Sequence, residues 1–208
     1  MAFAVTNSSV TDTSKILRTG NKIYFRKTGA ITWVDFGWPF NVSPTQNITF
    51  SQLMGNRTGV AVQLRNDMTE AAFGVEFDTV SVKDSDVYSL YTGGTAVAGG
   101  TGITNATGFA LKAGTTLGRC IWVQEDNAGG TAMVMWMPAA AVSGNGEGEQ
   151  DGYHTLKFKI DRLAKAGYVP DAALGTYSSN TSSDYGINFL LTNLAQLPAL
   201  LDKIDAEP

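Results

Sequence analysis

The sequence predicts a mainly β protein: an antiparallel β-sandwich or barrel with a short flanking helix and a helical C-terminal segment. Three observations carry that reading. Two hydrophobic runs, 120–123 and 131–137, flank a turn at 125–130, where Gly and Asn supply the left-handed conformations that other residues avoid. After a polar stretch, 153–161 alternates strictly, with Leu156, Phe158 and Ile160 on one parity and Thr155, Lys157, Lys159 and Asp161 on the other. A half-buried strand needs that period of two, because successive side chains leave opposite faces of the pleat. At 84–91 the period changes: Val87, Leu90 and Tyr91 stand at i, i+3 and i+4 between an N-capping Asp84 and a terminating Gly93, which predicts a short helix packed on the sheet.

Taken in order, the first 20 residues are polar and aperiodic, a flexible arm ahead of a β domain at 21–165. Ile23 and Phe25 share a face in a first strand, 27–30 turns, and 31–36 reads as a second strand. Three aromatics, Phe36, Trp38 and Phe40, then stand beside Gly37 and Pro39. Two readings stay open there: a strand end whose rings cap the core, or an exposed aromatic loop that docks on a neighbour. With turn chemistry at 41–45 and 54–59, the whole of 35–59 reads as a long loop enclosing one short strand at 48–50.

A second hairpin follows. Val60, Val62 and Leu64 alternate with Ala61, Gln63 and Arg65; Asn66, Asp67 and Met68 turn; Phe73, Val75 and Phe77 alternate with Gly74, Glu76 and Asp78. Val80 and Val82 fall on the opposite parity from Phe77, which predicts a bulge or bend near Asp78 or Thr79. Residues 92–107 are low in complexity, and 138–152 is a second long loop, too polar and glycine-rich for a core. Residues 161–167 start one helical turn and 168–183 are irregular. Residues 185–191 satisfy either a strand or a helix, and 191–204 read as helical, with Pro198 kinking the segment or opening a new turn, so that 166–208 forms a partly helical extension.

Composition narrows the function. The net charge of −4 and the scattered Lys and Arg argue against a surface that grips nucleic acid, which needs clustered cations. Charged residues make up only 16%, a neutral polar surface of the kind found where copies pack together. No apolar run approaches the ~18–20 residues that span a bilayer, and the N-terminus lacks the pattern of a signal peptide, so synthesis in a cytoplasm is expected. With one histidine, His154, one cysteine, Cys120, and no Gly-x-Ser-x-Gly elbow, no enzyme, metal or cofactor is expected. His154 reads as a core or loop-edge residue and Cys120 as a buried, inert thiol. Alternating oxygen ligands from Asn145 to Asp151 raise a calcium loop, but the pattern fails at its first ligand, its glycine and its terminal glutamate.

The order of elements resembles the tail tube, or major tail, proteins of long-tailed bacteriophages. The resemblance covers most of 23–163: the hairpin 60–82 ending in acidic Glu76 and Asp78, the small helix 84–91 closed by Gly93 and Gly94, and the pair 121–137 and 153–160 joined by a polar loop. It implies a β-sandwich with a flanking helix, whose hexameric rings stack into a hollow virion tube that passes DNA without specific binding. Partners are then further copies and the other tail proteins at the tube ends, with no membrane and no cofactor. On that reading Glu70, Glu76 and Asp78 are expected to face the lumen. Trp38, Phe40, Arg57, Asn145, Glu147, Glu149 and Asp151 are expected on loops that reach neighbouring subunits. The alternative is a capsid decoration or host-binding β-sandwich of a virion.

Overall fold

A computed structural model of the chain describes residues 20–57, 60–99, 101, 103, 106–112, 114–175 and 184–207, with the backbone alone at 47–57 and 60–72. The expected N-terminal arm therefore lies outside the described residues, apart from Gly20. The chain runs β1 (Gly20–Lys27), β2 (Val34–Asp35), β3 (Pro39–Arg57), β4 (Val60–Thr79), α1 (Ser85–Thr92), β5 (Ala96–Ala98), β6 (Thr107–Phe109), β7 (Thr116–Asp126), β8 (Thr131–Gln150), β9 (Tyr153–Arg162), β10 (Ile187–Leu191) and α2 (Leu197–Asp205). The fold is mainly β and antiparallel. One sheet has the order β2-β1-β7-β8-β9-β4-β3 with β10 added to β8, and β5–β6 forms a separate small ribbon.

The long strand β8 organises the sheet. Opposite Arg119 it carries two residues, Pro138 and Ala139, because Gly118 pairs with Ala140 and Cys120 with Met137. Such a bulge reverses the facing of everything beyond it. Before it, Val134 and Trp136 join one core while Met135 and Met137 join the other; after it, Ala140 and Val142 continue on the Met137 side. Proline at the bulge is no loss, since it has no N–H to offer a ladder.

The first core lies inside the curled sheet. Phe36, beyond edge strand β2, meets Phe77 of β4 at 5.0 Å and Phe158 of β9 at 4.9 Å between ring centroids, both edge-on, so the two ends of the sheet close over one apolar cluster. The Thr79 hydroxyl donates to the Phe36 carbonyl at 2.6 Å and ties the closure. Helix α1 covers the same core with Val87 and Leu90. It begins and ends where the sequence predicts: the Asp84 carboxylate accepts from the N–H groups of Asp86 and Val87, and Gly93 terminates the helix at φ 66°.

The second core lies on the other face, where Ile121, Val123, Val134 and Trp136 are covered by Tyr168, Leu174, Leu197 and Ile204. Residues 187–191 settle as a strand paired with Ala132 to Trp136 of β8. Asn193 caps a 3-10 turn, and α2 follows with Pro198 in its first turn.

Several expectations are corrected. Of 31–36 only Val34 and Asp35 pair, and Ile31 is 89% exposed. The two long loops are strands: 39–57 is β3, and most of 138–152 is β8. No turn occurs at 66–68, where β4 runs on with a register shift opposite Thr49 and Phe50. Residues 161–167 make no helical turn; β9 runs to Arg162 and irregular chain follows. The predicted break near Asp78 and Thr79 coincides with the end of β4 at Thr79.

Candidate functional site

The most prominent surface feature is the β3–β4 ribbon. Strand β4 pairs with β9 only from Phe73 to Thr79, whereas its pairing with β3 continues from Ala72 out to Val60, opposite Asn47 to Arg57. At about 3.3 Å per residue, this two-stranded stretch extends roughly 40 Å past the sheet. Among the described residues no third strand joins it. Isolated two-stranded ribbons are marginal in water, and their open edges offer backbone groups to another chain. Arg57 and Glu70 both lie on this ribbon, at backbone positions opposite Val60 and Thr49, so Arg57 is on a strand and not a loop.

The three aromatics of the 35–40 stretch part company. Phe36 is core, Phe40 is half-buried at the start of β3, and Trp38 is 81% exposed. Gly37, at φ 75°, makes the turn that throws Trp38 outward, and a Cβ there would collide with the Ser81 hydroxyl at 2.3 Å. The core-capping reading thus holds at Phe36, while Trp38 has the exposure that the docking reading requires. Trp38, Pro39 and Phe40 wall an open groove of about 780 Å³ that includes Lys22, Asp35 and Glu125, with Lys22 and Glu125 paired at 2.8 Å.

Glu76 and Asp78 are half-exposed on the face of β4 away from the core, and they do not form an acidic strip. The register puts Lys159 opposite Glu76 and Lys157 opposite Asp78, so charges of both signs share this patch. Asp78 also accepts from the Asn41 amide at 2.9 Å, and Lys159 pairs with Asp161 at 3.1 Å.

Asn145, Glu147, Glu149 and Asp151 all lie on the outer part of the β8–β9 hairpin, Asn145 in the bulge between Gly144 and Glu147 and the others nearer the tip. The first three are on β8 and only Asp151 is in the turn. Asp151 and Gly152 both have positive φ, 52° and 80°, the two-residue turn that matches the twist of a hairpin. Strand pairing there follows from the demands of β9: Leu156 and Phe158 are fully buried, and Glu147 and Gly144 are their cross-strand partners. Gly144 is also where α1 comes close, since a Cβ would lie 2.5 Å from the Tyr91 carbonyl oxygen. His154 is exposed at this tip with Nε2 3.5 Å from a Glu147 oxygen, the loop-edge position rather than the core. Burial first, then the Glu147 charge and hydrogen bond, raises the Tyr91 phenol above its ordinary value.

Reactive groups inside the fold are closed off. Cys120 is fully buried between strands, and burial pushes its thiol up to about 12, well out of the range of a nucleophile. The buried Glu207 carboxylate accepts from the Trp136 indole N–H at 2.9 Å, from the Tyr168 hydroxyl and from the Asp171 N–H at 3.0 Å. Burial, and then the bond to Glu207, raises the Tyr168 phenol far above its ordinary value. Arg26 ties the same segment down through Asp205 at 2.6 Å, and Asp205 also accepts from the Trp33 indole at 2.7 Å. None of these contacts is local, and sequence reasoning missed all of them. Among the described residues no helix is long and apolar enough to cross a membrane. No protein-family profile matches the chain, and no curated protein matches it.

Proposed function

We propose that the chain is a structural, self-assembling subunit of a bacteriophage tail tube, stacked in hexameric rings around a conduit for DNA. The observation that carries this reading is the β3–β4 ribbon, roughly 40 Å of paired backbone that no third strand joins among the described residues. A neighbour that covers its faces and edges supplies what a lone ribbon lacks. The exposed Trp38 and the acidic hairpin tip add further surface for such contacts. The resemblance in element order points the same way, and the mixed strip on β4 and β9, where carboxylates outnumber the lysines, suits a wall that passes DNA without capturing it.

Deleting 47–72 and joining Gln46 to Phe73, which are cross-strand partners, through a two-residue turn tests the reading. Wild-type protein is expected to form rings or tubes by negative-stain microscopy at raised concentration. The shortened chain should elute as a folded monomer. Tubes of normal appearance from the shortened chain would overturn the role given to the ribbon. A wild type that stays monomeric would favour the decoration or host-binding alternative.

A further inference from the structure

On the second-core face, a cavity of about 630 Å³ gathers Arg26 and Lys27 from β1, Arg119 from β7 and Lys165 from the chain beyond β9. The register forces the crowding, because Arg26 and Arg119 are direct cross-strand partners. Like charges placed so are destabilising unless anions answer them. Asp205 answers Arg26 at 2.6 Å, but Glu207 gives Arg119 only its backbone carbonyl, at 2.7 Å, because its carboxylate is turned inward to Trp136 and Tyr168. Lys27 and Lys165 are exposed and have no carboxylate partner among the described residues. Two apolar side chains sit on the rim, Ile31 at 89% and Leu117 at 55% exposure.

The complementary surface belongs to the same hairpin. Glu147, Glu149 and Asp151 are exposed at the β8–β9 tip, beside Tyr153 at 67% exposure. From Ala139 at the cavity to Glu149 at the tip the strand covers about 30 Å. Since β9 pairs along that length, one copy cannot fold its tip back into its own cavity. We propose that the acidic tip of one copy enters the cationic cavity of a second. Its carboxylates meet Lys27, Lys165 and the open side of Arg119, and Tyr153 covers Ile31 and Leu117. This rests on the self-assembling reading above and names the contact that propagates it. Tip and cavity are different patches, so each copy that fills one cavity still offers its own, and the contact is heterologous and repeats. It also weakens with salt, because the groups that meet are exposed.

Three charge-reversed chains test it: Glu147→Lys with Glu149→Lys, Lys27→Glu with Lys165→Glu, and all four together. All four positions are exposed, and circular dichroism checks that each chain folds. Each pair alone should raise the critical concentration for assembly at least about tenfold, the scale of a few juxtaposed like charges. The fourfold chain should return to within about threefold of wild type, because its tip and cavity are again opposite in sign. Either pair assembling like wild type, or a folded fourfold chain that does not recover, overturns the proposal. Unchanged assembly of the tip variant together with calorimetric binding of inorganic phosphate, lost in the Lys27→Glu and Lys165→Glu chain, reassigns the cavity to a small anion and overturns it as well. Recovery in the fourfold chain that ends in small closed oligomers leaves the contact standing and overturns only the tube. Tubes indifferent to every variant do the reverse.

Discussion

The indole N–H of Trp136 and the carboxylate of Glu207, 71 residues apart in the chain, meet at 2.9 Å inside the second core. The pair joins the middle strand of the sheet to the last described turn, and Tyr168 and Asp171 complete the ring of donors around the same carboxylate. Glu207→Ala strands the buried Tyr168 hydroxyl and takes the acceptor from the part-buried Asp171 N–H, and leaving a buried group unpaired costs about 1–3 kcal/mol. The midpoint of denaturant unfolding should fall accordingly, with a changed Trp fluorescence. Glu207→Gln, which keeps an acceptor, should lose less. Equal midpoints for Glu207→Ala and wild type would show that the segment contributes nothing to the fold.

The two central tryptophans occupy opposite faces of one sheet. Trp122 is in the core beneath α1 and Trp136 in the core beneath the C-terminal segment. Each is essentially unexposed, so Trp122→Ala and Trp136→Ala should each cost about 3–5 kcal/mol, as large-to-small core changes do. Their side effects should differ. Hydrogen exchange should show α2 released in Trp136→Ala and retained in Trp122→Ala, and α2 protected in both would contradict the two-core arrangement.

Stability should fall on the alkaline side, and Cys120 sets where the fall begins. Its thiol is raised from an ordinary 9.0 to about 12 by burial, so the folded state favours the protonated form. That contribution is intact below about pH 9, where both states hold the proton, and is lost as pH rises toward 12. Tyr24 and Tyr168, both raised mainly by burial, add the same sign above their ordinary value of 10.0. Unfolding midpoints should therefore decline from about pH 9, and Cys120→Ala should move the onset toward 10. An unchanged onset in that variant would take the thiol out of the account.

What the sequence disclosed depended on how local the cause was. Alternation along β9 and the caps of α1 are local chemistry, and both stand in the structure as read. The unbroken apolar run from Cys120 to Val123 also held more than a strand, since a strand buried on both faces reads that way, and here it had a core on each side. The ribbon was hidden by residues that suit turns. Pro44 is tolerated because β3 is an edge strand, and Asn66 and Asp67 stay in register despite their turn preference. The glycines at 144, 146 and 148 suggested a loop, yet Gly144 makes room for α1 and Gly146, at φ 115°, sits in a bulge. Asp151 followed by Gly152 is the strongest short hairpin cue in the stretch, and it marks the true turn. The cationic cavity had no sequence pattern at all, because the register of β1 with β7 and the return of residues 163–165 bring its members together.

If the proposed assembly passes DNA, the charge on its wall has a testable consequence. A conduit must not hold its cargo, because each phosphate taken up by Lys or Arg has to be released again at every step of transit. On the outward face of β4 and β9, Glu76 and Asp78 stand opposite Lys159 and Lys157, and Asp161 on the same face pairs with Lys159, so three carboxylates accompany two ammonium groups there. If this strip lines the conduit, the carboxylates act by cancelling the lysines locally, rather than by forming an acidic ring. Changing Glu76 and Asp78 together to Lys leaves four cations on that patch in every subunit. Both positions are half-exposed and neither enters a core, so folding and tube formation should survive the change. DNA ejection should slow, and raising the salt should restore it, because screening shortens to about 3 Å at 1 M. Intact tubes with unchanged ejection at low salt would place this strip on the outside of the tube.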